Sequence, residues 1–446
     1  MKLTFYGGVK EVTGANYLLE SGDTRILVDC GLNQGSNFSE KHNWDPFPYN
    51  PKDVQAVFIT HAHIDHTGRL PKLVKDGFRG KVYSTPPTRD FANVLLLDSE
   101  HILMEEAERF KKPPMYGIRE IEELMARWEG VPYHQTIIVG PIKVTMYSAG
   151  HILGSSIVVV EAEGKKIAFS GDLGNSPAPL IGSVEMLEDM DYCVIESTYG
   201  DRIHKQIING TIEDVIEDTV KNKGVLMIPA FAMERTQKLL FEINELMEHG
   251  RVLAVPVFLD SPLAIKVTDV YKKYQDYFDA ETTELLKHDS GLFDFTGLKK
   301  TLTTDESKSI NNVSAPKIII AGSGMSQGGR ILHHEKRYLP DPKSTILFVG
   351  YQAQNSLGRK ILEGQKVVKI HGEEVPVRCR VVSIGNYSAH ADQRQLLAWL
   401  SPMRFNLKNV FTIQGESDAS AALVKKIEND LAVHAEIPEE GKSYIL

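Results

Sequence analysis

The chain has little that would suit a secreted or membrane-bound protein. Its 446 residues include only three cysteines, Cys30, Cys193 and Cys379, each in an apolar run, which predicts buried, reduced thiols rather than disulfides or a cysteine metal site. No run of about 18 uninterrupted apolar residues is present, and Gly7 and Gly8 interrupt the N-terminal sequence before a signal-peptide apolar region could form. We therefore expect a soluble, cytoplasmic protein with no membrane partner.

The chain also lacks an overall excess of positive charge. Its formal net charge is -9, so composition alone does not indicate a nucleic-acid partner, and a polyanionic substrate would need a locally positive groove. The hydrophobic fraction of 42% is that of a globular protein. Because 446 residues are too many for one ordinary core, the length predicts two domains, or one domain with a large insertion.

Strand and helix patterns change along the chain. The first part predicts hairpins over residues 16–30 and 156–169, with a buried strand over 53–60 and helices over 91–110 and 118–128. From about Thr211, strands and helices alternate as in a parallel sheet. The helices predicted after this point cover residues 211–220, 234–248, 329–339, 393–400 and 420–431. The strands cover residues 225–229, 255–259, 317–321, 346–350 and 410–413.

A run of metal-ligand residues follows the predicted strand at residues 53–60. His61, His63, Asp65 and His66 fall within six positions, in a loop at the carboxyl end of that strand. One metal ion could take two of these imidazoles, and a neighbouring ion could take an imidazole and the carboxylate. This ligand set suits zinc, with manganese or iron as alternatives.

Two further residues come directly after strands that end in small residues. His151 follows Ser148-Ala149-Gly150, and Asp172 follows Ser170-Gly171. Alone, each would more often be a turn residue, but together with the first run they become candidate ligands. A carboxylate such as Asp172 can bridge two cations about 3.5 to 4 Å apart, the spacing found in two-metal hydrolases.

This ordered set of motifs resembles the metallo-β-lactamase superfamily, and Asp29 in Leu-Val-Asp-Cys-Gly matches the family's opening aspartate. The resemblance implies an α/β fold, an αββα sandwich with metal ions at one sheet edge. It also implies that His61, His63 and His151 hold one zinc ion and that Asp65 and His66 hold a second. Asp172 would bridge the two ions, and Asp29 would orient ligands.

Later motifs resemble the β-CASP nucleases of that superfamily, in particular prokaryotic versions of the pre-mRNA 3′-end endonuclease. Glu196-Ser-Thr-Tyr-Gly resembles their acidic motif, and Ser-Ala-His390-Ala-Asp resembles their histidine motif. The resemblance implies a parallel-sheet β-CASP domain inserted at residues 204–385. The metallo-β-lactamase domain would then comprise residues 1–203 and 386–446.

The implied function is that of a zinc-dependent endonuclease that hydrolyses phosphodiester bonds of single-stranded RNA with a metal-activated water. Asp65, Glu196 and His390 are the predicted catalytic residues, with His390 as general acid and Glu196 as its partner. Candidate substrate contacts are Arg235, Ser323, Gly324, Arg330 and Lys360, against the alternative of structural turns and solvated surface charge. The sequence leaves open whether the protein forms a homo-oligomer.

One position departs from the β-CASP pattern. The third family motif ends a strand in His-Gly-Glu, whereas this chain has Gln414-Gly-Glu, so the second metal site is expected to be weaker or differently occupied. Two alternatives therefore stay open, an RNA-binding or assembly protein with reduced catalysis and another hydrolase of the superfamily. His333 and His334 form the nearest reserve for a metal or proton-transfer role.

Overall fold

A computed structural model describes residues 1–35, 40–177, 179–204, 210–287, 291–385 and 388–446. The chain divides into two compact units. The first unit contains Met1–Ile203 and Ala389–Leu446, and the second contains His204–Ser388. None of the helices within the described ranges is long and apolar enough to cross a membrane. The three cysteines are buried and free, as predicted.

Two sheets of seven strands each form the centre of the first unit. The first sheet contains β1 (Lys2–Phe5), β2 (Tyr17–Ser21), β3 (Thr24–Val28), β4 (Ala56–Phe58), β5 (Lys81–Ser84), β6 (Trp128–Gly130) and β22 (Ser443–Ile445). The second contains β7 (Thr136–Val139), β8 (Ile142–Ser148), β9 (Ser156–Ala162), β10 (Lys165–Phe169), β11 (Tyr192–Glu196), β20 (Asn409–Ile413) and β21 (Ala435–Glu436). Their strand orders are β22-β1-β2-β3-β4-β5-β6 and β21-β20-β11-β10-β9-β8-β7.

The second unit is built on a six-stranded sheet with the order β14-β13-β15-β12-β16-β19, in which every pair is parallel. Its strands are β12 (Val225–Pro229), β13 (Val257–Leu259), β14 (Leu298–Lys300), β15 (Lys317–Ala321), β16 (Thr345–Phe348) and β19 (Arg380–Ser383). β17 (Val367–Ile370) and β18 (Glu373–Pro376) form a separate antiparallel pair. The run Ile318-Ile319-Ile320 is buried throughout, as expected for a parallel strand covered on both faces.

The helices occur in three stretches of the chain. Before the second unit lie α1 (Ile64–Thr67), α2 (Leu70–Lys75), α3 (Pro86–Phe110) and α4 (Ile118–Arg127). Within it lie α5 (Ile212–Lys221), α6 (Arg235–Glu248), α7 (Pro262–Lys273), α8 (Ala280–Leu286), α9 (Thr304–Ser309), α10 (Ile331–Tyr338) and α11 (Leu357–Leu362). After it come α12 (Gln393–Leu400) and α13 (Ser417–Lys426).

The core of the first unit lies between its two sheets. The alternation of β8 buries Ile142, Val144 and Met146 in one cluster with Phe58 of the first sheet. On the opposite face of the second sheet, apolar residues pack against Trp399 of α12, while α3 and α4 contact β6 and β5 of the first sheet. The order helix, sheet, sheet, helix confirms the predicted αββα sandwich.

Helix boundaries differ from the predicted ones where local chemistry decides them. α3 begins at Pro86 rather than at residue 91, because the Thr85 hydroxyl accepts a hydrogen bond from Thr88 N. α10 begins at Ile331 rather than at Gly329, which has the left-handed φ of +70°. α7 was not predicted, although Ser261 caps it and Pro262 starts it.

Candidate metal and catalytic site

The predicted metal run lies in the loop after β4, and backbone contacts hold this loop in place. His63 is the residue before α1, which contains Asp65 and His66. Cys30 N donates to His66 O at 2.8 Å, and Ala15 N donates to Asp65 O at 3.0 Å. A Cβ atom on Gly31 would lie 1.5 Å from Asp65 O, so only glycine permits this close approach.

Four predicted ligand atoms converge on one point. His63 Nδ1 lies 3.0 Å from His61 Nε2 and 3.3 Å from His151 Nε2. Asp172 Oδ2 lies 3.4 Å from His61 Nε2 and 3.5 Å from His151 Nε2. Zinc bonds of about 2.0 to 2.2 Å in a tetrahedron place ligand atoms about 3.3 Å apart. The spacing of these four atoms, which we call the first cluster, therefore fits a tetrahedral cation.

The protonation states in the first cluster suit metal binding. Burial, together with the charge of His66, holds the pKa of His61 well below its usual range. Burial and His390 do the same for the pKa of His151. Burial alone would raise the pKa of Asp172, but the neighbouring imidazoles hold it well below its usual range. Neutral imidazoles and an ionised carboxylate are the forms that bind a cation.

Contacts outside the cluster fix which nitrogen of each ring faces inward. His151 Nδ1 lies 3.2 Å from Ala389 O, which can only accept, so the lone pair is on Nε2. The Thr60 hydroxyl donates to Asp29 Oδ2 at 2.8 Å, so its oxygen can accept from His61 Nδ1–H, which lies 3.2 Å away. The lone pair of His61 is therefore on Nε2. Thr60 and Ala389 were missed in the sequence, although each is one residue from a motif histidine.

His66 and Gln414 lie against the other oxygen of Asp172, and we call them, together with Asp65 beside His66, the second cluster. His66 Nε2 is 3.5 Å from Asp172 Oδ1 and 3.8 Å from Asp65 Oδ2. Burial raises the pKa of Asp65 to about 6. Burial opposes charge on His66, but Asp29 and then Asp172 raise its pKa well above the usual range. Asp29 accepts from His66 Nδ1 at 2.7 Å.

His390 and Glu196 form a pair beside the first cluster. Glu196 ends β11, is fully buried, and accepts a hydrogen bond from Leu173 N at 2.6 Å. His390 Nδ1 lies 3.2 Å from Glu196 Oε2 and 3.8 Å from Asp172 Oδ2. Burial opposes charge on His390, but Glu196 outweighs it and raises the pKa of His390 to about 9. This imidazole therefore carries a proton at neutral pH.

The predicted substrate residues lie in the second unit. Ser323 Oγ accepts a hydrogen bond from Gln327 N at 2.9 Å, and Gly324 packs closely on Phe231. Arg235 lies 3.2 Å from Glu234. Lys360 is exposed at the edge of a groove of about 600 Å³.

Arg330 and His334 have partners inside the second unit. Arg330 donates to Asp260 Oδ1 at 2.8 Å and to the carbonyl oxygens of Thr301 and Leu302. His334 is buried against Asp260, and His333 stacks on His371 at 4.9 Å between ring centroids. These contacts indicate that Arg330 and His334 stabilise the second unit.

Sequence comparisons match nearly the whole chain to known families. The Metallo-beta-lactamase superfamily matches residues 10–203, the Beta-Casp domain matches residues 236–361, and the Zn-dependent metallo-hydrolase RNA specificity domain matches residues 374–438. Together with the His and Asp cluster, the superfamily match indicates metal binding.

Relatives support the same assignment along the full length. Ribonuclease TTHA0252 of Thermus thermophilus is 38% identical over 95% of this chain and 95% of that protein. Transcription termination factor FttA of Methanosarcina mazei is 31% identical over 97% of this chain and 70% of that protein. A solved Enterococcus faecalis protein of unknown function shares the fold, with a TM-score of 0.57 at 14% identity over 100% of this chain and 99% of that one. The chain belongs to the β-CASP ribonuclease family of the metallo-β-lactamase superfamily.

Proposed function

We propose that the protein is a zinc-dependent endonuclease that hydrolyses phosphodiester bonds of single-stranded RNA. The observation that carries the proposal is the shared use of Asp172. Its Oδ2 closes the first cluster and lies 3.8 Å from His390 Nδ1, so a metal-ligand set and a protonated imidazole adjoin one another. This pairing suits phosphodiester hydrolysis, because a nucleophile forms on one side of the phosphorus and the leaving oxygen is protonated on the other.

His61, His63, His151 and Asp172 are assigned as the ligands of the tightly held ion, and three imidazoles with one carboxylate favour zinc. The bound ion supplies a lowered pKa for the attacking water and offsets the negative charge that develops on the phosphate oxygens. Asp65, His66 and Asp172 are assigned to a second, weaker metal position. Asp65 is also assigned to orient the attacking water.

His390 is assigned as the general acid. Its proton is held by the charge of Glu196, which keeps the pKa near 9, so the imidazole stays protonated at neutral pH and can donate to the departing oxygen. Glu196 is fixed by the backbone N–H of Leu173 and acts through His390. Asp29 and Thr60 are assigned to orient His66 and His61.

RNA is proposed as the substrate because a relative is named a ribonuclease and because residues 374–438 match an RNA specificity domain. Arg235, Ser323, Gly324 and Lys360 remain proposed substrate contacts. A second candidate is an RNA-binding or assembly protein with reduced catalysis. Gln414 at a ligand position and the relatives named transcription termination factor favour this candidate.

Cleavage of a circular single-stranded RNA in the presence of zinc tests the proposal, because a circle has no end and only internal cleavage linearises it. We expect linear product from the wild type and background levels from Asp65→Ala. His434→Gln, at an exposed histidine of the same unit, is the matched control and should cut normally. RNA that binds to the zinc-loaded protein without being cut would favour the second candidate.

A further inference from the structure

The amide of Gln414 lies between two groups of the second cluster. Gln414 is 1% exposed, and its Nε2 is 2.7 Å from His66 Nε2 and 3.3 Å from Asp172 Oδ1. Its Oε1 is buried with no hydrogen-bond partner among the described residues. Its backbone N–H donates to Gly8 O at 2.7 Å and its φ is +49°, so the backbone fixes where the side chain starts.

The hydrogen-bond pattern explains this position of the amide. His66 Nδ1 lies 2.7 Å from the carboxylate of Asp29, which can only accept, so Nδ1 carries a hydrogen. When His66 carries only this hydrogen, the lone pair is on Nε2, where an N–H of the Gln414 amide can donate to it. The same amide nitrogen donates to Asp172 Oδ1. The doubly protonated His66 that Asp29 and Asp172 favour requires the opposite orientation of the amide. The distance of 2.7 Å is that of a hydrogen bond and is shorter than the spacing of about 3.3 Å between two ligands of one zinc ion.

Exchanging the two ends of the amide does not free the second cluster. In that orientation Oε1 would accept from Nε2–H of a protonated His66, and the amide nitrogen would be buried where Oε1 now finds no partner. The Nε2 lone pair is therefore occupied in both orientations, by an amide hydrogen or by a proton. A cation at this position would have to displace that hydrogen and, in the first orientation, also leave the amide nitrogen without an acceptor.

We propose that the Gln414 amide takes the place of a second cation, so that the protein holds a single tightly bound metal ion at the first cluster. In this arrangement the amide lies within hydrogen-bond distance of both His66 Nε2 and Asp172 Oδ1, which are themselves 3.5 Å apart. The inference rests on the proposed role of the first cluster as a metal site, and it concerns the number of ions rather than the reaction.

Zinc content after dialysis measures this directly, without reference to activity. We expect about one zinc per chain in the wild type and about two in Gln414→His, because imidazole supplies the missing ligand. Gln414→Glu should also gain a second zinc, and it serves as the independent variant should the histidine disturb folding, which circular dichroism will report. Gln365→His, at an exposed glutamine, is the matched control and should remain at about one zinc.

Titration of each dialysed protein with zinc separates the possible outcomes. Weak binding of a second ion to the wild type, at least about 100-fold weaker than in Gln414→His, supports the proposal. Two ions retained by the dialysed wild type would overturn it, as would folded Gln414→His and Gln414→Glu proteins that both stay at one. A wild type that binds no zinc overturns the proposed metal site and this inference together. A wild type with one zinc that leaves RNA uncut contradicts only the proposed function.

Discussion

The first cluster, in the first unit, and the buried site around Asp260, in the second unit, differ in whether the protein supplies hydrogen-bond donors to their buried acceptor atoms. In the second unit, fully buried Asp260 accepts hydrogen bonds from the side chains of Thr301, Ser307, Arg330 and His334 at 2.6–2.8 Å. In the first unit, the Nε2 lone pairs of His61 and His151 point to one place beside Asp172. Both sites contain histidine and aspartate, but only around Asp260 do neighbouring side chains donate hydrogen bonds to both oxygens of the buried carboxylate.

The number of hydrogen-bond donors around a buried carboxylate distinguishes a structural site from a ligand site. A buried carboxylate surrounded by its own donors stabilises the fold, and removing it leaves other buried polar groups unpaired. Imidazole nitrogens and a carboxylate that converge at ligand spacing can instead be completed by a cation. Substitutions in the first cluster should therefore cost activity, and substitutions at Asp260 should cost stability.

The largest effect is expected for His63→Ala. Because this removes a ligand of the first cluster, zinc content should fall to background and RNA cleavage should fall by more than about 100-fold, the upper end for groups that only orient a ligand. The midpoint of thermal unfolding of the zinc-free protein should not fall. A marked loss of stability in the zinc-free variant would mean that the first cluster is structural, as the Asp260 site is, and would contradict the proposed difference between them.

His390→Gln should lower the cleavage rate by about 10²- to 10⁴-fold, the contribution of a general acid, with zinc content unchanged. The acid must be protonated, so wild-type activity should decline as the pH rises through about 9, and this limb should be absent in the variant. Rate–pH profiles of the two zinc-loaded proteins provide the measurement. An identical alkaline limb in the variant would assign the proton to another group.

Asp260→Asn should destabilise the protein by about 3 kcal/mol, because Arg330 and His334 lose the charge that they share in a buried position. Urea unfolding measures this change, with Asp276→Asn at an exposed aspartate as the control. Zinc content should stay at the wild-type value. Loss of zinc from folded Asp260→Asn protein would contradict the separation of the two clusters.

The smallest effect is a pH dependence of stability from Glu335. Burial raises the pKa of Glu335 from 4.5 to about 7, so the folded state holds this proton more tightly than the unfolded state does. The stabilisation is present below pH 4.5 and is lost as the pH rises through about 7. Relative to wild type, Glu335→Gln should gain about 3 kcal/mol between acidic and alkaline conditions.

Urea unfolding at both ends of this pH range tests that gain. The control is Glu374→Gln, at an exposed carboxyl group. A stability difference between wild type and Glu335→Gln that is the same at both pH values would remove Glu335 from the groups that titrate on unfolding.

The sequence predicted the fold and located the candidate ligand run because both depend on local sequence patterns. His61 to His66 directly follow a buried strand, the alternation of strands and helices indicated the parallel sheet, and the resemblance of the motifs implied the sandwich. The partners of these residues could not be predicted, because they come from distant parts of the chain. Ala389 O, which orients His151, is 238 residues away, and nothing in its own side chain indicates that role. His334 was a candidate reserve ligand in the sequence. Its pairing with Asp260 could not be predicted, because it depends on packing within the second unit.

The division of the first unit into two stretches of chain has a consequence for the order in which the site is made. Every ligand of the first cluster lies within the first stretch, but Ala389 O, which contacts His151, belongs to the second stretch. His390, the partner of Glu196, follows it by 194 positions in the chain, and the entire second unit lies between them. Because domains are synthesised from the N-terminus, the proposed acid is made after every ligand of the first cluster, and the complete site forms only after the second unit has been synthesised.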